Sequence, residues 1–112
     1  MKLLVSIFQP QQLPAIKKAL FESQIKHLTV TNVLGTAPEG AEVRMFRGIP
    51  HKVSLFQKVR LEIPLREELL DQAIEAITKG AKASGGHGII FVTELHHFVN
   101  IGTGKQGDQA VQ

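Results

Sequence analysis

Apolar and polar residues alternate most regularly over residues 58–65. The apolar positions of this segment, all on one face, are Val59, Leu61, Ile63 and Leu65. Because successive side chains of a strand point to opposite faces, the pattern predicts a β-strand with one buried face. Elsewhere, apolar runs and apolar residues at helical spacing predict further elements. They are strands over residues 3–8, 27–34 and 89–92 and helices over residues 13–24 and 66–82.

The order of these elements, strand–helix–strand–strand–helix–strand, is typical of the ferredoxin-like βαββαβ fold. The predicted fold class is therefore α+β, with a four-stranded antiparallel sheet and two helices on one face. A length of 112 residues suits a single domain over residues 1–112, and 43% hydrophobic residues are ordinary for a globular protein.

The connection between the second and third predicted strands is unusually long. Roughly twenty residues separate Gly35 from Lys58, where a hairpin needs about two to five. Residues 38–58 carry four basic and two acidic side chains, and Gly and Pro interrupt them. Long loops of compact domains are often functional, so this segment is predicted to face a ligand or partner. A pair of extended strand arms is the equally compatible alternative.

Composition excludes several classes of protein. The absence of cysteine rules out disulfides, thiolate metal sites and a thiol nucleophile. A net charge of +3 without a dense run of Lys and Arg does not indicate a nucleic-acid partner. Neither a secretory leader nor an apolar segment of membrane-spanning length is visible, so we expect a soluble, cytoplasmic protein without direct membrane insertion.

Two glycine-rich segments are candidates for phosphate binding. Residues 102–107 satisfy G-x-G-x-x-G, but too few residues follow to form the helix that a dinucleotide site requires. Residues 85–88, Gly-Gly-His-Gly, follow the second helix. Their N–H groups could converge on an anion, or the glycines could simply end the helix.

No catalytic or metal-binding constellation is visible. His96 and His97 are adjacent in a probable strand, so their side chains should point to opposite faces and cannot share a metal ion. No nucleophile–base motif surrounds any serine, so we expect neither catalytic residues nor an enzyme. Lys58 and Glu62 lie four apart on one strand face, where they could form an ion pair or line a cleft.

Several short segments together resemble the PII nitrogen-regulatory signalling proteins. They are HLTVTNVLG (27–35), FRG (46–48), KVRLEI (58–63), GHGIIFV (86–92) and TGKQG (103–107). The resemblance implies the same ferredoxin-like fold, a homotrimer, and adenine nucleotide (ADP, AMP or ATP) bound in clefts between subunits. It also implies that a long T-loop, about residues 36–57, regulates a partner transporter or enzyme. The B-loop would be about residues 82–88 and the C-terminal loop residues 102–112.

The resemblance assigns roles to individual residues. The implied nucleotide-binding residues are Ile7, Thr29, Gly35, Lys58, Glu62, Pro64, Gly86, His87, Gly88 and Lys105. The implied effector and partner residues of the T-loop are Glu39, Arg44, Arg47, His51 and Lys52. No cofactor or metal is implied beyond the nucleotide and, with it, a small anion such as bicarbonate.

The chain departs from the PII pattern at positions that contact phosphate. Basic residues of the family are replaced by Pro38, Ile89, Asn100 and Gly102. Each charge-assisted bond contributes about 1.5–3 kcal/mol, so ADP or AMP is expected to bind in preference to Mg-ATP. Glu39 stands where the family has a glutamine that helps to hold Mg²⁺ and 2-oxoglutarate. A carboxylate there repels that dicarboxylate.

The usual covalent control is also missing, because His51 occupies the position of the modified tyrosine and Ile49 that of the phosphorylated serine. Two alternatives stay open at this point. One is a carboxysome- or transporter-associated PII-like sensor of bicarbonate together with ADP or AMP. The other is a structural or metal-tolerance trimer of the same fold that binds no nucleotide.

Overall fold

The computed structural model describes residues 1–36 and 55–112, together with the backbone of residues 43–46 and 49–52. The strands are β1 (Lys2–Phe8), β2 (Thr29–Gly35), β3 (Val43–Phe46), β4 (Ile49–Lys52), β5 (Phe56–Leu65) and β6 (Ile89–Glu94). The helices are α1 (Leu13–Glu22) and α2 (Leu70–Ala83), and a short 3-10 turn, Glu67–Leu69, precedes α2.

The main sheet has the strand order β2-β5-β1-β6, and every neighbouring pair is antiparallel. Both helices pack on one face of this sheet, which confirms the predicted ferredoxin-like βαββαβ fold. Strands β3 and β4 pair with each other as a separate hairpin inside the long connection, with Val43 opposite Lys52. Part of the segment predicted as a loop is therefore paired strand.

The core lies between the sheet and the helices. From the sheet it receives the predicted apolar face of β5 together with Leu4 and Phe8 of β1. From the helices it receives Ile16, Leu20, Ala73 and Ile77. Leu61 and Ile63 are completely buried, which confirms the alternation read from the sequence.

The opposite face of the sheet carries no helix among the described residues. On it, β1 and β6 present apolar side chains, because Val5 lies opposite Phe91 and Ile7 opposite Ile89. Ile89 is 58% exposed and Phe91 is 41% exposed. We refer to this surface as the outer sheet face.

Several predicted boundaries were wrong by a few residues. Helix α1 ends at Glu22 because Gln24 adopts a left-handed backbone with a φ of 65°. Strand β6 ends at Glu94, where its partner β1 runs out at Lys2. His96 and His97 therefore lie beyond the strand in which they were predicted.

The chain after β6 folds back onto the domain. Val99 forms a bridge with Gln106, and a 3-10 turn follows at Gly107–Gln109. Val111 is only 6% exposed, so this segment packs against the rest of the domain. Within the described part of the chain, neither helix has the length and apolar character required to cross a bilayer.

Candidate functional site

A cleft of about 420 Å³ lies at one end of the main sheet, where the loop between α2 and β6 meets the ends of β1 and β2. Its lining residues are Ile7, Phe8, Gln9, Thr36, Lys58, Gly86, His87, Gly88 and Ile89. We call it the glycine-loop cleft. It brings together Ile7, Lys58, Gly86, His87 and Gly88, all of which the sequence had suggested as nucleotide-binding residues.

The loop that walls this cleft requires glycine. Gly85, Gly86 and Gly88 have φ values of 120°, 77° and 139°, a backbone conformation that residues with a β-carbon rarely adopt. The N–H of Gly86 donates to the carbonyl of Ala81 at 2.6 Å and closes the end of α2. The same segment therefore ends the helix and lines the cleft, so the two interpretations of Gly-Gly-His-Gly are compatible.

The loop is fixed where it enters β6. A β-carbon on Gly88 would lie 3.1 Å from the carbonyl oxygen of Ile7 and 3.1 Å from Cβ of Phe8. The buried hydroxyl of Ser6 donates to the carbonyl of Ile89 at 2.9 Å. The backbone at Gly88 and Ile89 thus approaches β1 closely, and a buried hydrogen bond holds it there.

Lys58 supplies a positive charge to the cleft. Its Nζ donates to the carbonyl of Thr36 at 2.6 Å, immediately before the segment that leads to β3. A β-carbon on Gly35 would lie 3.1 Å from Cδ of Lys58, so this glycine leaves room for the lysine side chain. Gly35, another predicted site residue, therefore adjoins the cleft through Lys58.

The remaining predicted residues do not line this cleft. Thr29 lies opposite Glu62 in the β2–β5 ladder, and Pro64 follows on the same face of β5. We call these three residues the β5-end group. Lys58 and Glu62 are four residues apart, which corresponds to about 13 Å along a strand.

The suggested ion pair between Lys58 and Glu62 was wrong. Oε1 of Glu62 instead accepts a hydrogen bond from Nε of Arg60 at 2.9 Å. Arg60 lies between Lys58 and Glu62 on the same face, and four residues of extended strand hold the latter two apart.

Lys105 lies in the tail, outside the cleft. Its N–H donates to the hydroxyl of Thr103 at 3.2 Å, and its carbonyl accepts from the N–H of Asn100 at 2.9 Å. The predicted residues of the long connection, Glu39, Arg44, Arg47, His51 and Lys52, lie outside the residues whose side chains the structure describes.

The cleft also contains residues that sequence reasoning did not single out. Phe8, Gln9 and Thr36 line it because β1 and β2 both end beside the glycine loop. The available signal was Pro10, which marks the end of β1 directly after Gln9. Among residues 1–36 and 55–112, no group of three His, Asp or Glu side chains is placed to share a metal ion.

Comparison with known proteins identifies the family. The model of the family described as Nitrogen regulatory protein P-II matches residues 1–105. The chain belongs to the PII family. Nitrogen regulatory protein P-II of Rhizobium etli is 37% identical to it over 99% of this chain and 100% of that relative.

Two further PII relatives extend the comparison. Nitrogen regulatory protein GlnK of Escherichia coli is 32% identical over 99% of this chain and 100% of the relative. Nitrogen regulatory protein GlnK1 of Methanosarcina mazei is 32% identical over 99% of this chain and 97% of the relative. The protein is thus a signalling protein of the nitrogen-regulatory PII type, as the sequence resemblance indicated.

Proposed function

We propose that the protein is a homotrimeric PII sensor that binds an adenine nucleotide and controls a partner protein through residues 36–57. ADP and AMP are the favoured ligands, rather than Mg-ATP with 2-oxoglutarate. The protein acts in the cytoplasm on a transporter or an enzyme, and it works by binding and not by catalysis.

The glycine-loop cleft carries this proposal. It has a volume of about 420 Å³ and combines the positive-φ glycines of one loop with the amino group of Lys58. Glycines in such conformations allow backbone N–H groups to approach an anion closely. A lysine beside them adds the charge that a phosphate group requires.

The position of the β5-end group supports a cleft shared between subunits. Thr29, Glu62 and Pro64 lie outside the glycine-loop cleft of their own protomer. A neighbouring subunit that presents this group to the cleft would complete the site. Such a contact is heterologous, and a threefold rotation closes it into a ring. The exposed apolar part of the outer sheet face is available for this assembly, because burying Ile89 and Phe91 removes apolar surface from water.

The contact between Lys58 and Thr36 supports control through the long connection. A phosphate that enters the cleft competes with the Thr36 carbonyl for the lysine. Because Thr36 is the first residue after β2, the competition acts at the base of the segment proposed to contact a partner.

The charge of the cleft favours ligands with few phosphates. Lys58 is its only Lys or Arg side chain among the described lining residues. Ile89, where the resemblance to the family implies a basic residue, adds no charge. The alternative is ADP or AMP with bicarbonate as a second anion, for which the basic residues Arg44, Arg47 and Lys52 of the long connection would supply the additional charge. It would make the protein a bicarbonate-responsive member of the family.

Isothermal titration calorimetry with AMP, ADP and ATP tests the proposal, with and without Mg²⁺, bicarbonate and 2-oxoglutarate. We expect binding of ADP and AMP, weaker binding of ATP, and no heat with 2-oxoglutarate. Lys58→Met should weaken ADP binding, whereas Lys79→Met, an exposed lysine on α2, should leave it unchanged. Flat traces with all three nucleotides, or a monomer by light scattering, would contradict the proposal.

A further inference from the structure

The β2–β5 ladder ends where the β5-end group begins. Its last pair is Thr29 opposite Glu62, and continuing the register would place His27 opposite Pro64. Pro64 has no N–H, so it cannot donate to the carbonyl of His27 as a ladder residue would. The two strands therefore need another group to satisfy their backbone at this point.

The side-chain amide of Gln112 occupies that place. Its Oε1 accepts from the N–H of Lys26 at 3.2 Å and from the N–H of His27 at 3.1 Å. Its Nε2 donates to the carbonyl of His27 and, at 3.3 Å, to the carbonyl of Pro64. One amide thus bridges both strands beyond the end of the ladder.

The rest of the tail fixes Gln112 in this position. The N–H of Arg66 donates to the backbone carbonyl of Gln112 at 2.8 Å. The neighbouring Val111 is 6% exposed, so it anchors the tail by burial. The same tail carries Lys105, whose turn is closed by the bridge between Val99 and Gln106.

We propose that Gln112 is a positioning residue that sets the geometry of the β5-end group and thereby the affinity for the base of the nucleotide. This inference rests on the proposed function. Glu62 is paired with Arg60, so the β5-end group offers phosphate no free positive charge and is suited to the base and ribose, whereas the glycine-loop cleft with Lys58 takes the phosphates. Gln112 itself does not contact the ligand, and its effect passes through His27 and Pro64.

The placement predicts a distinctive pattern of affinities. Loss of the Gln112 amide should reduce the affinities for AMP, ADP and ATP by the same factor, because all three ligands share the base. The expected factor is on the order of tenfold, which corresponds to one or two hydrogen bonds. Lys58→Met should instead reduce the affinity for each ligand by a factor that increases from AMP to ADP to ATP.

Calorimetric titration of Gln112→Ala with AMP, ADP and ATP tests this pattern. Gln109→Ala is the matched control, since Gln109 is an exposed glutamine of the same tail. Amide hydrogen exchange gives an independent readout, because the Lys26 and His27 N–H groups should exchange faster in Gln112→Ala than in Gln109→Ala. Should Gln112→Ala not fold, Gln112→Met keeps an uncharged side chain of similar length and removes the acceptor and the donors together.

The outcomes separate the two proposals. Wild-type protein that binds none of the nucleotides overturns the proposed function and the affinity role of Gln112 together. Wild-type binding with unchanged affinity in the folded Gln112 variants overturns this inference alone. A loss in those variants that grows with the number of phosphates also overturns it, since Gln112 would then act on the glycine-loop cleft. An equal loss for the three nucleotides, with none in Gln109→Ala, supports it.

Discussion

A β-carbon added to Gly80 would lie 2.6 Å from Cα of Ile16 and 2.8 Å from its backbone nitrogen. Gly80 is thus the point at which α2 touches the backbone of α1. Such a distance is far below ordinary van der Waals contact, so the two helices approach each other only because this residue has no side chain.

Gly80→Ala should therefore destabilise the protein, by about 1–3 kcal/mol, because the helices must move apart. Urea unfolding followed by circular dichroism measures the change. Lys79→Ala, one position earlier and exposed, serves as the control and should stay within about 0.5 kcal/mol of wild type. In a free helix, Gly→Ala stabilises by about 1 kcal/mol, so a more stable Gly80→Ala would contradict the close contact.

Gly88→Ala should destabilise more than Gly86→Ala. Both residues have positive φ, which costs about 1 kcal/mol or more for alanine. Only Gly88 also has the Ile7 carbonyl at 3.1 Å from the added β-carbon, whereas the position of Gly86 is open. Thermal unfolding of both variants measures the difference. Equal melting temperatures would show that β1 can shift away from the added β-carbon without loss of stability.

Leu61→Ala should cost about 2–5 kcal/mol of unfolding free energy, since Leu61 is completely buried at the centre of β5. Leu34→Ala is the matched comparison on the neighbouring strand, because Leu34 is 63% exposed. Its effect should be within about 0.5 kcal/mol. Chemical denaturation of both variants tests whether burial, and not residue type alone, sets the cost of removing a leucine from this face of the sheet.

A pH effect should come from Glu94 and Lys2 at the other end of the sheet. A hydrogen bond from Lys2, assisted by its positive charge, lowers the pKa of Glu94 below its usual range. The same hydrogen bond raises the pKa of Lys2. The stabilisation from Glu94 is therefore present above the pKa of an unfolded glutamate and is lost as the pH falls through the lowered folded value.

Glu94→Gln should thus be less stable than wild type near pH 7, and the difference should shrink on acidification. Unfolding free energies measured at neutral and acidic pH give the comparison, and Glu75→Gln, an exposed change on α2, is the control. A difference that grew towards acidic pH would have the opposite sign to that required by the lowered pKa.

The fold was largely predictable because its signals are local. The alternation over Val59, Leu61 and Ile63 depends only on the two faces of one strand, and all three are buried as expected. The contact at Gly80 was not predictable, because a glycine inside a helical pattern does not reveal which helix approaches it. The β3–β4 hairpin was likewise not predicted uniquely, since its sequence is compatible with both a loop and a pair of strands.

The candidate site was predictable only in part. Gly86 and Gly88 are distant from Lys58 in sequence, and the resemblance to the PII family suggested all three before the structure placed them in one cleft. The contacts of Gln112 were beyond sequence reasoning. They follow from a missing N–H at Pro64 and from a tail that returns to the start of β2, and neither has a periodic signature.

Strand β5 is hydrogen-bonded along both of its edges, to β2 and to β1. Lys58 and Glu62 therefore lie on a strand that is held on both edges, and a ligand cannot change the distance between them without breaking hydrogen bonds of two ladders. Adjustment to a ligand therefore falls to the glycine loop between α2 and β6, which lines the cleft and belongs to no such ladder. The sheet thus sets the distance between the two parts of the proposed site, and the glycine loop is the part of the cleft that can follow the ligand.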